Sequence, residues 1–336
     1  MLPGDGIGTE VLKAAEQILR ALPGLDFRFE EYPCGAGEYL RSGNPLPPGT
    51  LDACRTADAI LLGAMGLPDV RWPDGREMAP QLDLREQLEL FAGVRPVRVF
   101  HPSHSPLRHA SIDYVLVRES TEGLFSTRLR PRDKNAMAVR DELLVTRAGS
   151  ERLFHFCFQL ARTRRHKLTL IDKANVLPSM AFFREIFYEV AKQYADVEAE
   201  HVYVDAAALY MVQSPERFDV LVTENMFGDI LSDLSAGTVG GMGLAPSADI
   251  GDKHAVFQPA HGSAPDIAGK GIANPVATIL SVAMMLEWFG EPPCLEGASR
   301  IRSAVAAILS NPENATPDLR GRLTTQELTD RIVEAL

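Results

Sequence analysis

Apolar runs alternate with helical patterns along the whole chain. After a glycine-rich turn, Ile7, Val11, Ile18, Leu19 and Leu22 recur at helical spacing and predict an opening helix. Residues 58–63 read as a buried strand ending in a glycine turn. Residues 113–118, 167–172 and 219–223 read likewise, each with a polar residue where the strand stops. Further helices are predicted over 81–91, 150–162, 178–194, 228–236, 275–289 and 325–336. The alternation predicts an α/β chain, and in open α/β sheets ligands bind at the carboxyl ends of the strands. No repeat, low-complexity tract or linker divides the sequence, so the domains are expected to be nested and not consecutive. Only Met1 and Leu2 precede the first turn, too few for an ordinary strand. Either that strand is short or the chain begins late.

The polar positions sharpen this picture. Asp229 and Asp233 stand at i and i+4, one above the other on a helix face. Stacked carboxylates repel unless a cation bridges them or water screens them, and a lone pair is most often a solvated acidic face. Here a buried-strand pattern precedes the pair and Gly237, Gly240, Gly241 and Gly243 follow it. That setting weakens the solvated-face reading and leaves room for a hard divalent ion such as Mg²⁺ or Mn²⁺, which takes oxygen ligands. Three arginines also stand out. Arg85 lies in a helical segment, Arg95 in a turn before Pro96, and Arg118 ends an apolar run. Arginine grips carboxylates bidentately, so three converging arginines suit a di- or tricarboxylate, whereas singly each is an ordinary salt-bridge arginine. Lys173 closes a strand. It reads equally as a loop lysine or as a general base whose pKa a cation lowers. His261 to Pro275 form a small-residue loop before a helix, which lets backbone approach a ligand. Asp266 in that loop suits a ribose diol and would repel a 2′-phosphate. The turn from Gly4 to Gly8 does not match the GxGxxG fingerprint and is equally a helix start.

Composition excludes other classes. A net charge of −11 over 336 residues argues against nucleic acid or an anionic membrane as the main partner. Cys34, Cys54, Cys157 and Cys294 lie far apart with no CxxC pair, which suggests a reducing compartment without a disulfide framework or zinc site. There is no N-terminal signal and no apolar run long enough to span a bilayer, which favours the cytoplasm or a processed organelle protein.

Taken in order, the turn at residues 3–8 and the segments 225–233 and 261–275 resemble the isocitrate and isopropylmalate dehydrogenase family of β-decarboxylating dehydrogenases. The resemblance runs from Pro3 to the helix near Glu287. It implies that family's two-domain α/β fold, distinct from Rossmann. One domain would join residues 1–90 and 240–336 and carry the cofactor loop. The other, 91–239, would supply the dimer contact. By position, Arg85, Arg95 and Arg118 resemble the substrate carboxylate clamp and Lys173 the general base. Asp205 resembles a third metal carboxylate beside Asp229 and Asp233. In such enzymes Lys173 and Asp205 come from the neighbouring subunit, which implies a homodimer with shared sites. His261, Gly262, Ala264, Asp266, Ile267 and Asn274, with Ile7 and Asn175, resemble the NAD site. The implied reaction needs NAD and Mg²⁺ or Mn²⁺: Lys173 takes the hydroxyl proton as hydride leaves for nicotinamide, and the resulting keto acid loses CO₂.

The sequence departs from that pattern at Phe125, where the family has a tyrosine acid, at Gln258, where it has a glutamate, and in the clipped first strand. The residues expected to face the variable substrate group are Gln81 and Leu82. Leu82 resembles the isopropylmalate type. Gln81 and the run 223–227 lean towards isocitrate, homoisocitrate or malate and tartrate types. The expected substrate is a small hydroxy dicarboxylate, a 3-isopropylmalate-like malate. A non-catalytic regulatory subunit would suit Phe125, but Lys173, the three aspartates and the three arginines favour a catalyst.

Overall fold

A computed structural model describes residues 1–107, 111–130 and 135–336. Its strands follow the chain as β1 (Leu2–Gly4), β2 (Ile60–Ala64), β3 (Ala92–Arg98), β4 (Asp113–Glu119), β5 (Lys167–Asp172), β6 (Glu198–Tyr203), β7 (Val220–Thr223), β8 (Pro246–Ile250) and β9 (Ala255–Pro259), with helices between most of them. The protein is α/β, in two compact units. Met1–Leu90, Val99–Arg108 and Val239–Leu336 form a terminal unit; Phe91–Arg98 and His109–Thr238 form a central one.

In the terminal unit the strands lie in the order β1-β2-β9-β8. The first three are parallel, and β8 runs antiparallel to β9. The opening strand is short, three residues in all. The helix Gly8–Ala21 buries Val11, Leu12, Ala15, Ile18 and Leu19, the stripe its spacing predicts. The helix Val276–Phe289 is buried at every position from Val276 to Leu286, as its nearly continuous apolar sequence requires. Among the described residues no helix is long and apolar enough to cross a membrane.

In the central unit the order is β3-β4-β7-β5-β6, with β4, β7, β5 and β6 parallel and β3 antiparallel to β4. The helices Arg147–Arg162 and Pro178–Ala191 pack through aromatic rings, with Phe154 and Phe183 centroids 4.6 Å apart and Phe158 and Phe187 5.5 Å apart. The register places Arg118 opposite Thr223, and Thr223 opposite Ile171. Residues following β4, β7 and β5 therefore emerge at one sheet edge.

Four local expectations need correction. The helix predicted over 81–91 spans Pro80–Gln87. Glu89 adopts a left-handed backbone (φ 53°), which ends it, while Leu88, Leu90 and Phe91 stay buried and so prolong the apolar pattern. Arg95 lies within β3 and not in a turn. A following proline pushes a residue into extended backbone, which a strand satisfies as well as a turn does. Gly63 lies within β2, which continues to Ala64. The helix predicted over 228–236 is longer, Asn225–Val239. Its start is fixed by the Glu224 carboxylate, which accepts the N–H groups of Met226 (3.0 Å) and Phe227 (2.6 Å).

Candidate active site

In the central unit, Arg118 is the next-to-last residue of β4, and its side chain is buried. It donates to Asn225 Oδ1 at 2.7 Å and is ion-paired with Asp229. The approach depends on Gly228, because a Cβ there would lie 2.3 Å from the Arg118 Cβ. This glycine lets the helix carrying both aspartates close onto the strand end. Asp229 and Asp233 share that helix as predicted. The Asp233 carboxyl is pushed above its ordinary range by burial and by the neighbouring Asp229 charge, while Arg118 and Arg95 pull the other way. The structure thus brings Arg95, Arg118, Asp229 and Asp233 into one electrostatic cluster. The Phe125 ring lies beside it, 5.6 Å from the Arg118 guanidinium carbon.

A second cluster stands at the ends of β5 and β6. Asp172, fully buried, receives two hydrogen bonds from Arg184 at 2.7 and 2.6 Å and one from the Ala174 N–H at 2.9 Å. This fixes the turn from which Lys173 projects. Lys173 Nζ donates to Asp205 Oδ1 at 2.7 Å, and that bond holds the Asp205 carboxyl below its usual range. Asn175 is exposed in the same turn. Among the described residues no three His, Cys, Asp or Glu side chains are grouped to hold one metal ion. Asp205 therefore does not complete a three-carboxylate set with Asp229 and Asp233 within one chain.

The terminal unit carries the remaining predicted residues. Gln81 and Leu82 are half-buried on the helix that presents Arg85, and Arg85 is buried against Asp249. The glycine-rich turn packs on the 261–266 loop: Ile7 N–H donates to the Ser263 carbonyl at 2.8 Å. Gly6 lies in left-handed backbone (φ 55°), where a Cβ would strike the Ser263 carbonyl at 1.9 Å. Asp5 is a structural clamp, since its carboxylate accepts the N–H groups of Ala36, Gly37 and Gly66 at 2.7–2.8 Å.

Ile7, Ala264 and Ile267 join one small apolar cluster with Val11 and Ala273. Gly262 and Asp266 are exposed. His261 shares a hydrogen bond between Nδ1 and the Gly262 carbonyl at 2.9 Å. Its Nε2 is buried with no partner among the described residues, and burial lowers its pKa. Asn274 donates to Asp318 at 3.0 Å. A cavity of about 480 Å³ elsewhere in this unit, lined in part by Phe27, Phe29, Cys54 and Phe289, contains none of the predicted site residues.

Known proteins give this geometry its family. The model of the isocitrate/isopropylmalate dehydrogenase family matches residues 1–332. The chain is 43% identical to the 3-isopropylmalate/3-methylmalate dehydrogenase of Methanocaldococcus jannaschii, over 99% of this chain and 97% of that protein. It is 42% identical to the homoisocitrate dehydrogenase of the same organism, over 99% and 96%. The crystal structure of isocitrate dehydrogenase from Methylococcus capsulatus matches with a TM-score of 0.90 at 40% identity, covering 99% of this chain and 97% of that one. The chain belongs to the isocitrate/isopropylmalate dehydrogenase family. It is a β-decarboxylating dehydrogenase acting on a small hydroxy acid.

Proposed function

We propose that this enzyme oxidises and decarboxylates a 3-substituted malate of the 3-isopropylmalate kind, using NAD and Mg²⁺ or Mn²⁺, as a homodimer with shared sites. The observation that carries this reading is the cluster of Arg95 and Arg118 with Asp229 and Asp233, in which the stacked carboxylates are relieved by a cation. Asp229 and Asp233, with Asp205 of a second subunit, would hold the divalent ion. Ile7, His261, Gly262, Ala264, Asp266, Ile267 and Asn274, with Asn175, would hold the dinucleotide. The apolar cradle of Ile7, Ala264 and Ile267 and the unpartnered His261 Nε2 fit an adenosine group. When bound, the dinucleotide supplies a hydride acceptor and the ion lowers the pKa of the substrate hydroxyl.

The chain's own residues do the rest. Arg85, Arg95 and Arg118 hold the substrate carboxylates, and Lys173 takes the hydroxyl proton. Carbon dioxide leaves because oxidation places a ketone beside the carbon that carries the departing carboxylate. Phe125 has no proton to give, so another donor protonates the carbon left behind. The shared site is supported by the Lys173–Asp205 pair and by Leu209, Val212 and Ile230, exposed on the helices Val204–Gln213 and Asn225–Val239. Leu82, one turn before Arg85, favours an apolar substituent. A panel of 3-isopropylmalate, 3-methylmalate, D-malate, tartrate, isocitrate and homoisocitrate tests the choice. The highest kcat/KM is expected for a 3-alkylmalate; a preference for a tricarboxylate would overturn it.

Chelation should abolish turnover, and Asp229→Asn should lower kcat by at least about 100-fold. Asp229→Asn should still fold, because the Asp229 side chain is half exposed and an amide oxygen can still accept from Arg118. Full activity of the metal-free protein would contradict the metal reading. At the cofactor loop, a 2′-phosphate beside Asp266 meets charge repulsion. NAD should exceed NADP in kcat/KM by at least about tenfold, roughly 1.4 kcal/mol. Equal use of the two would show that Asp266 does not read the ribose.

A further inference from the structure

Gln258 stands where the resembled family has a glutamate, and the structure gives the amide specific work. Gln258 pairs opposite Ser247 across β8 and β9, and Asp249 pairs opposite Val256, so residues 249 and 258 are diagonal neighbours on one face of the ladder. Gln258 Nε2 donates to Asp249 Oδ2 at 2.7 Å, and Arg85 Nε donates to the same oxygen at 3.0 Å. All three side chains are buried. The trio contains one cation, one anion and one neutral amide. The Arg85 bond uses only Nε. Among the described residues the two terminal amino groups of Arg85, the fork that grips a carboxylate, have no protein partner.

We propose that Gln258 is a positioning residue: its amide fixes the Asp249 carboxylate, and Asp249 in turn holds Arg85 so that its terminal fork faces the substrate carboxylate. A glutamate at 258 would set two carboxylates within 2.7 Å of each other. They would part, or one would take up a proton, and either response loosens Arg85. The amide therefore belongs with the aspartate, and the two form one unit of charge. This inference rests on the reading of Arg85 as a substrate arginine.

The test is a double-mutant cycle of Gln258→Glu, Asp249→Asn and the two combined, each measured as the dimer with Mn²⁺. Four quantities are read: the Kd of 3-isopropylmalate by calorimetry, KM and kcat in turnover, and the thermal midpoint. Gln258→Glu should weaken Kd and KM by about tenfold, the scale of one broken buried polar contact, with kcat changed far less. The double variant restores one carboxylate and one amide in exchanged places, so it should recover most of that loss. Unchanged Kd and KM in Gln258→Glu would overturn the inference, whatever happens to its midpoint. A double variant no better than the weaker single would overturn it too. If the wild type turns over a malate while Gln258→Glu binds it normally, the inference alone falls. If the wild type neither binds nor turns over any hydroxy dicarboxylate, the proposed function falls, and the inference with it.

Discussion

Lys173→Met is expected to lower kcat on a 3-alkylmalate by ~10²–10⁴-fold, the usual contribution of a positioned general base. Methionine keeps most of the stem's volume and removes the ammonium group, so the fold should persist. Lys173 is held at the end of β5 by two features: the Asp172 anchor behind it and the 2.7 Å contact with Asp205 in front. Neither contact reaches Asp229 or Asp233, and the described residues of one chain do not group the three aspartates around a metal. In the proposed dimer each base therefore stands beside the carboxylates of a second subunit. Mixing makes that measurable. A dimer of one Lys173→Met chain and one Asp229→Asn chain would hold one intact site and one doubly damaged site. Statistical refolding then predicts about a quarter of wild-type activity from two inactive parents. No recovery despite demonstrated mixed dimers would mean that each site is built within a single chain.

Arg184→Met is expected to cost about 3 kcal/mol or more of unfolding free energy, because it leaves the fully buried Asp172 carboxylate without its cation. The two bonds from Arg184 at 2.7 and 2.6 Å are charge-assisted, and the Ala174 N–H alone cannot replace them. Adding Asp172→Asn should return a large part of the loss, since a neutral amide needs no counter-charge. Denaturant unfolding of the wild type, Arg184→Met and the double variant provides the measurement. A loss below about 1 kcal/mol would show that water reaches Asp172 when the arginine is gone.

How much of this was legible in the sequence depended on distance along the chain. The strand at 167–172 was read to the residue, because an apolar run with polar ends needs only its own neighbours. The carboxylate pair at 229 and 233 was visible for the same reason, since i,i+4 spacing is local. Arg95 was misplaced because its strand conformation comes from pairing with β4, which the Arg-Pro dipeptide does not encode. The sequence pattern does not single out Asp249, Arg184 or Asp318, and it marks Asp172 only as a polar strand end, although each supports a predicted site residue. Asp249 meets Arg85 across 164 positions, and Asp318 meets Asn274 across 44. No local pattern announces such pairs; only the fold brings them together. The one signal within reach was the buried-strand setting of Asp249, since a carboxylate on an apolar ladder demands a partner. Gly228 was likewise visible as a letter in the 225–233 run, but its need became clear only with the Arg118 side chain behind it.

Oxidation and decarboxylation are expected to occur together on one 3-substituted malate. The direct measurement is the stoichiometry of NADH and CO₂ released from 3-isopropylmalate carrying ¹⁴C in the carboxylate expected to depart, with NAD and Mn²⁺ present. The account predicts one labelled CO₂ for each NADH throughout the reaction. NADH formed without labelled CO₂, or no turnover of any 3-alkylmalate, would contradict it.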